Sequence, residues 1–217
     1  MGKVSVYNRS MKRKKRAVVD IDNTLWHFCD ALFERLRRIN GSVPPPDAWV
    51  EWDFWERYCS KSEFLSAIEE IHLSQDDDRH SPYPEAKGFL STLREHGFHI
   101  TIASHRTADS IEQTKNWLRR HDLVFDELHL SYDKTVLIDD SCDAVVDDAP
   151  PVLETARERG VTATGLLFPW NRRFASDGYV LCRDLNEALD YILGSTPTSP
   201  RGKRRGRVVT TRHRAEP

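Results

Sequence analysis

The chain has 217 residues, 39% hydrophobic and 30% charged, with only 10 Gly and 11 Pro. That is one domain's length plus a modest insertion and excludes low-complexity and collagen-like classes. The longest apolar runs, such as Val136-Leu137-Ile138 and Gly165-Leu166-Leu167-Phe168, are too short to cross a bilayer, so no membrane partner is expected. The net charge of −2 hides an asymmetry: residues 1–16 hold seven Lys/Arg and no acid, residues 201–217 hold seven and one Glu, and residues 17–200 carry a net −15.

In chain order, a basic segment, 1–16, leads into Ala17-Val18-Val19-Asp20-Ile21, a short buried-strand pattern. Residues 27–84 hold two amphipathic stretches, Ala31 to Ile39 and Lys61 to Ile71, around the break Val43-Pro44-Pro45-Pro46, which predicts a small helical insertion. From Glu85 onward helix and strand alternate. Helix 85–96 places Phe89, Leu90 and Leu93 on one face and ends at Gly97. Strand 99–103, helix 107–121 and strands 125–130 and 144–146 follow. A helix opening at Pro150-Pro151 closes at Gly160, and strand 163–168 and helix 184–193 complete the series. Alternation with short connections predicts an α/β core of 17–26 and 85–194, a largely parallel sheet in three Rossmann-like layers. Residues 195–217 are expected to be a disordered basic tail.

In such a sheet ligands bind beyond the carboxyl ends of the strands. Here the strand ends carry Asp20-Ile21-Asp22-Asn23-Thr24, then Ser104-His105-Arg106, then Asp133-Lys134-Thr135, then Asp147-Asp148. Two acids directly after the apolar Ala144-Val145-Val146 demand a compensating cation. The order DxDxT, Ser after a strand, Lys and DD resembles the haloacid dehalogenase-like (HAD) superfamily of phosphotransferases over roughly residues 16–193.

That resemblance implies a phosphatase with an aspartyl-phosphate intermediate and assigns roles. Asp20 is the nucleophile and Asp22 the general acid and base, with Thr24 orienting Asp22. Lys134 and Ser104 contact the phosphate. Mg2+ is the implied cofactor, held by Asp20, the Asp22 backbone carbonyl and Asp148, with Asp147 in support. Asp139-Asp140 is the competing acidic pair, but only Asp147-Asp148 has strand-then-helix context. Arg106 is open between binding a substrate anion and a surface ion pair. His105 and His27 read as structural, and Gln75 to Asp78 as a solvated loop.

From Lys134 to Asp147 is only 13 positions, too short for a full intervening helix. The short gap, the Asp133-Lys134-Thr135 element and Pro169-Trp170-Asn171 resemble the 5′(3′)-deoxyribonucleotidase branch and related bacterial nucleotidases. The implied substrate is a nucleoside or deoxynucleoside monophosphate. The insertion 27–84 lies where HAD enzymes carry a cap, and its Trp49, Trp52, Phe54, Trp55 and Tyr58 could stack a base or pack the cap's own core; core packing is the favoured reading for each.

Two rivals stand: a phosphatase of nucleic-acid ends anchored by the basic segments, and a non-catalytic phospho-ligand-binding module. The first yields to solvated tails, and the second has no need of Asp22. Four scattered cysteines without a CxxC, and no apolar stretch of the kind a secretory signal needs, suggest reduced thiols and a cytoplasmic location.

Overall fold

The computed structural model describes residues 13–75 and 80–195. The expectations for most of the basic N-terminal segment, for Asp76 to Asp78 and for the tail beyond Ser195 lie outside them.

Six parallel strands form one sheet: β1 (Lys15–Val19), β2 (Phe98–Ser104), β3 (Glu127–Leu130), β4 (Ala144–Val146), β5 (Thr162–Leu166) and β6 (Val180–Cys182), in the order β3-β2-β1-β4-β5-β6. The helices are α1 (Phe28–Ile39), α2 (Lys61–Leu73), α3 (Ala86–Glu95), α4 (Ile111–Arg120), α5 (Pro150–Glu158), α6 (Arg172–Ser176) and α7 (Leu185–Ser195). The three-layer parallel α/β expectation therefore holds.

Alternation along the strands explains the layers. Ala17 and Val19 face one cluster, with Phe89, Leu90 and Leu93 of α3, Trp117 of α4 and Ile192 of α7. Val18 faces the other, with Val145, Ile138, Cys142, and Val152 and Ala156 of α5. Strands buried on both faces read as continuous apolar runs, which is how β4 and the end of β1 read. β1 begins two residues earlier than the apolar signal. Lys15 and Arg16 belong to the ladder, paired with Phe98 and His99, while the Lys15 ammonium lies 5.2 Å from the centre of the Phe98 ring. β6 and α6, at three and five residues, are too short to show a period and were not foreseen.

The connection from β3 to β4 contains only a short 3-10 turn at Thr135–Leu137. It crosses from one side of β1 to the other and replaces a helix layer with Ile138 and Cys142, both buried against Val18 and Val145. Arg159 closes off the exposed carbonyls of that turn, donating to Thr135 O at 3.1 Å and Ile138 O at 2.5 Å, and Arg16 donates to Leu137 O.

Between β1 and α3 the described residues form α1 and α2. In α1, Phe28, Leu32 and Leu36 are buried on one face, against α2. α2 starts in a capping box, with Ser60 Oγ accepting from the Glu63 amide and Glu63 Oε2 accepting from the Ser60 amide. All four cysteines are free thiols. Among the described residues no helix is long and apolar enough to cross a membrane.

Candidate active site

β1 neighbours β2 on one side and β4 on the other, so the chain reverses its winding direction there and leaves a crevice at the strand ends. Register fixes who meets in it. Val19 pairs with Val146, so the next residues, Asp20 and Asp147, lie side by side, and the Asp20 amide donates to Val146 O at 2.9 Å. β5 closes tightly on this point: a Cβ on Gly165 would lie 2.0 Å from Asp147 O, so only glycine fits.

Lys134 arrives from the short β3–β4 connection. Its Nζ lies 2.7 Å from Asp20 Oδ1 and 2.6 Å from Asp147 Oδ2, and all three side chains are buried. Burial opposes the Lys134 charge, but Asp147 and Asp20 outweigh it and hold its pKa above the ordinary lysine value. Burial pushes the Asp20 carboxyl up to about 8, aided by the charges of Asp147 and Asp22 and opposed by Lys134. Asp148 is also raised well above the ordinary range, by burial and then by Asp20 and Asp147. One oxygen from each of Asp20, Asp147 and Asp148 can be chosen so that all lie within 4.8 Å of one another. Three carboxylates against one ammonium leave a surplus of negative charge, and an all-oxygen donor set suits a hard divalent cation, so the residues fit a Mg2+ site.

Asn23 ties this cluster to the insertion. It sits in the left-handed region at φ 58°, which asparagine tolerates. Its Oδ1 accepts from the Cys29 amide at 2.9 Å, and its Nδ2 donates to Asp148 Oδ2 at 3.2 Å. On the far side Asn171 is fully buried, donating to Leu166 O at 2.8 Å and accepting from the Phe168 amide at 2.9 Å. That holds Trp170 stacked on Phe168, with ring centres 4.5 Å apart, at the cavity wall.

Asp22 is held differently. Its Oδ1 accepts from Trp26 Nε1 at 2.9 Å and Arg106 Nη2 at 2.6 Å. Its Oδ2 is 3.0 Å from His72 Nε2 and accepts from Ser104 Oγ at 3.1 Å and Arg106 Nε at 3.2 Å. Burial opposes ionisation, but the Arg106 guanidinium and then His72 hold the carboxyl well below its usual range. Asp22 rests as a carboxylate with both oxygens occupied.

Arg106, Ser104, Thr24 and Gln75 lie off the lining of the cavity. Arg106 does not lie at the surface. Its guanidinium is fully buried and bonded to Asp22, Ser104, Gln75 and Thr114, because a buried guanidinium is held only where its donors are satisfied. Ser104 is fully buried, with its hydroxyl directed at Asp22 rather than into the cavity. Thr24 does not bond Asp22: its buried hydroxyl has no partner among the described residues, and its amide closes the turn to Ile21 O at 3.2 Å. Gln75, expected in a solvated loop, is buried. The competing acids Asp139 and Asp140 are exposed and away from the cavity.

The crevice opens into a cavity of about 160 Å3. Its floor is Asp20, Asp22, Lys134 and Asp148, and its walls include Phe28, Trp49, Trp52, Trp55 and Trp170. Several aromatics pack as well as line: Trp49 stacks on Phe54 with centres 4.0 Å apart, and Trp55 on Phe64 at 4.5 Å. Trp52 is 45% exposed and meets the Trp170 edge. Sequence reasoning missed His72, Asn23 and Trp26, and set His105 aside as structural. His105 lines the cavity beside Lys134, and burial followed by the Lys134 charge pushes its pKa down to about 4, leaving a neutral ring. Its place directly after Ser104 was the available signal.

A model of the family described as "5′ nucleotidase, deoxy (Pyrimidine), cytosolic type C protein" matches residues 15–193. A protein of Chlorobaculum tepidum named "Putative 5′(3′)-deoxyribonucleotidase" is 25% identical over 173 residues, covering 71% of this chain and 80% of its own length. Among solved structures, a haloacid dehalogenase-like family hydrolase from Streptococcus pneumoniae is similar at TM-score 0.59 and 16% identity, over 83% of this chain and 99% of that one. A "putative phosphoglycolate phosphatase" from Lactobacillus delbrueckii subsp. bulgaricus is similar at TM-score 0.64 and 13% identity, over 84% and 100%. At these identities the structural likenesses show the fold alone, which is HAD-like. The family match spans well over half of the sequence and every strand-end motif, and the chain belongs to the HAD-like 5′-nucleotidase family of hydrolases.

Proposed function

We propose that the protein is a magnesium-dependent phosphomonoesterase that works through an aspartyl-phosphate on Asp20 and hydrolyses nucleoside or deoxynucleoside monophosphates in the cytoplasm. The observation that carries the reading is a buried carboxylate, Asp20, held 2.7 Å from the Lys134 ammonium on the floor of an aromatic-walled cavity.

The chemistry follows from the groups present. Asp20 attacks phosphorus while the bond to the leaving oxygen breaks. Lys134 places a fixed positive charge between two anions that would otherwise repel. Mg2+, held by Asp20, Asp148 and the Asp22 backbone carbonyl, would supply the remaining neutralisation. Asp147 has both oxygens engaged, with Lys134 at 2.6 Å and the Ala149 amide at 2.9 Å, which suits support better than direct ligation. Asp22 gives a proton to the leaving oxygen and later takes one from the attacking water. Its resting carboxylate form is ready for the second task. An incoming phosphate anion favours the protonated form needed for the first.

The insertion 27–84 acts as the cap that shields this chemistry from water. Its aromatic faces offer stacking for a flat base, and such contacts need no particular hydrogen-bond pattern. The names carried by the family and by the Chlorobaculum relative favour a nucleotide over other phosphate esters.

The test is phosphate release from nucleotides, sugar phosphates and phosphopeptides, with Mg2+ or EDTA, beside Asp20→Asn. Selective Mg2+-dependent release from nucleoside monophosphates, abolished in a folded Asp20→Asn, is the expected result. Release from sugar phosphates alone removes the substrate assignment, and undiminished turnover by Asp20→Asn removes the mechanism.

A further inference from the structure

We propose that His72 is a positioning residue for the Asp22 carboxylate, reaching it from the insertion rather than from the sheet, so that protonation of the leaving group depends on how α2 is seated. The inference rests on the phosphatase reading above and concerns the same site.

His72 lies in the last turn of α2, buried on the face that also buries Ala67 and Ile71. Its ring packs against Phe28 with centres 5.4 Å apart, and its Nε2 is 3.0 Å from Asp22 Oδ2. Asp22 Oδ2 already accepts from Ser104 Oγ and Arg106 Nε, so it acts as an acceptor here and Nε2 carries the hydrogen. Burial and then the Arg106 charge lower the pKa of the ring from its ordinary value, against the pull of Asp22.

Position distinguishes His72 from the other four donors to Asp22. Trp26, Ser104 and both nitrogens of Arg106 belong to the end of β2 or to segments following β1 and β2, although Arg106 also bonds Gln75 of the insertion. His72 is 50 residues away in sequence and comes from the insertion. It is also on the cavity wall, where Ser104 and Arg106 are not. His72 is the donor on the substrate side. In the step itself the Asp20–phosphorus bond forms, the bond to the leaving oxygen breaks with its electron pair going to that oxygen, and the Asp22 proton passes to it. His72 keeps its own proton and fixes where Asp22 presents the transferred one.

General-acid assistance matters most for a basic leaving group and least for an acidic one, which separates positioning from a merely structural role. The experiment compares kcat/KM for a series of substituted phenyl phosphates, from p-nitrophenyl to unsubstituted phenyl and a simple alkyl phosphate, for wild type, His72→Ala, His72→Asn and His72→Gln. Each variant is first checked for a wild-type circular dichroism spectrum. Gln extends an amide N–H to about the place of Nε2, and Asn falls short. Loss of a hydrogen bond to a charged group predicts a drop of about 10- to 100-fold for the alkyl ester in Ala and Asn, and under about threefold for p-nitrophenyl. Wild type should show a shallow dependence on leaving-group basicity, Ala and Asn a steep one, and Gln a return towards wild type. Parallel lines for wild type and Ala, or an unchanged alkyl rate, would overturn the inference while leaving the phosphatase reading intact. If Ala fails to fold, Asn against Gln makes the same comparison. Wild type that turns over neither these esters nor any nucleoside monophosphate would sink the phosphatase reading, and this inference with it.

Discussion

Replacing Asp148 with Asn should make the metal-free protein more stable and remove its response to Mg2+. Asp20, Asp147 and Asp148 share one buried ammonium, so at most one of three negative charges is directly matched. The strain is visible at Asp20, whose carboxyl is pushed from an ordinary 3.8 up to about 8. A folded-state pKa above the unfolded one means that stability is fully present below about pH 4 and is lost as pH rises towards about 8. The shift corresponds to a ceiling of roughly 6 kcal/mol, which relaxation and water entry reduce to a few. Asp148→Asn keeps the size of the side chain and deletes one repelling charge. It should raise metal-free stability near pH 8 by about 1–2 kcal/mol, or roughly 2–8 °C in melting temperature for a domain of this length. In wild type, Mg2+ at a hundred times its dissociation constant adds about 2.7 kcal/mol, hence about 5–11 °C. The gain should be greater near pH 8 than near pH 5, because protons compete with the cation for the same oxygens. Thermal unfolding by circular dichroism, in EDTA and in Mg2+ at both pH values, measures every term. A lower metal-free melting temperature for Asp148→Asn near pH 8, or a Mg2+ shift that survives in the variant, would refute the charge argument.

Two further substitutions probe the supports of the site. Gly165→Ala forces a Cβ to within 2.0 Å of Asp147 O, so β4 and β5 must part; we expect about 1–3 kcal/mol of destabilisation in urea unfolding and weaker Mg2+ binding, and a neutral effect on both would show the strand spacing to be slack. Arg106→Met leaves a buried carboxylate short of its cation and should lose about 3–5 kcal/mol at neutral pH. Because the folded Asp22 pKa is depressed, its contribution is present above about pH 4 and disappears as pH falls through the folded value, so the gap between wild type and Arg106→Met should narrow in acid. A gap that stays constant down to the acid unfolding limit would assign the loss to packing instead.

Asp20, Lys134 and the acidic pair were legible in the sequence, Asp20 and Asp147-Asp148 because each sits at the end of an apolar run and Lys134 by its place after β3, and strand register does the rest. Val19 opposite Val146 brings Asp20 to Asp147 whatever the loops do. The supports of Asp22 were not legible, for a reason of distance. Ser104 and Arg106 sit at another strand end, and their sequence position says only that they are near the crevice, not which way they point. Their direction is set by burial: Gln75 and Thr114 complete the guanidinium's partners, and Gln75 had looked like the start of a solvated acidic run. His72 is hidden more deeply, since a histidine on an apolar helix face reads as core until the partner 50 residues away is seen. The same holds for the aromatics of the insertion. Trp49 on Phe54 and Trp55 on Phe64 satisfy the core-packing reading, and both tryptophans also face the cavity. A small helical insertion has too little interior to separate the two tasks, so the residues that hold it together are also the residues a substrate would meet. Mutating one of them therefore changes the seat of α2, the reach of His72 and the cavity wall together. For that reason the leaving-group series on His72, which leaves the aromatics in place, separates chemistry from shape where an aromatic scan cannot.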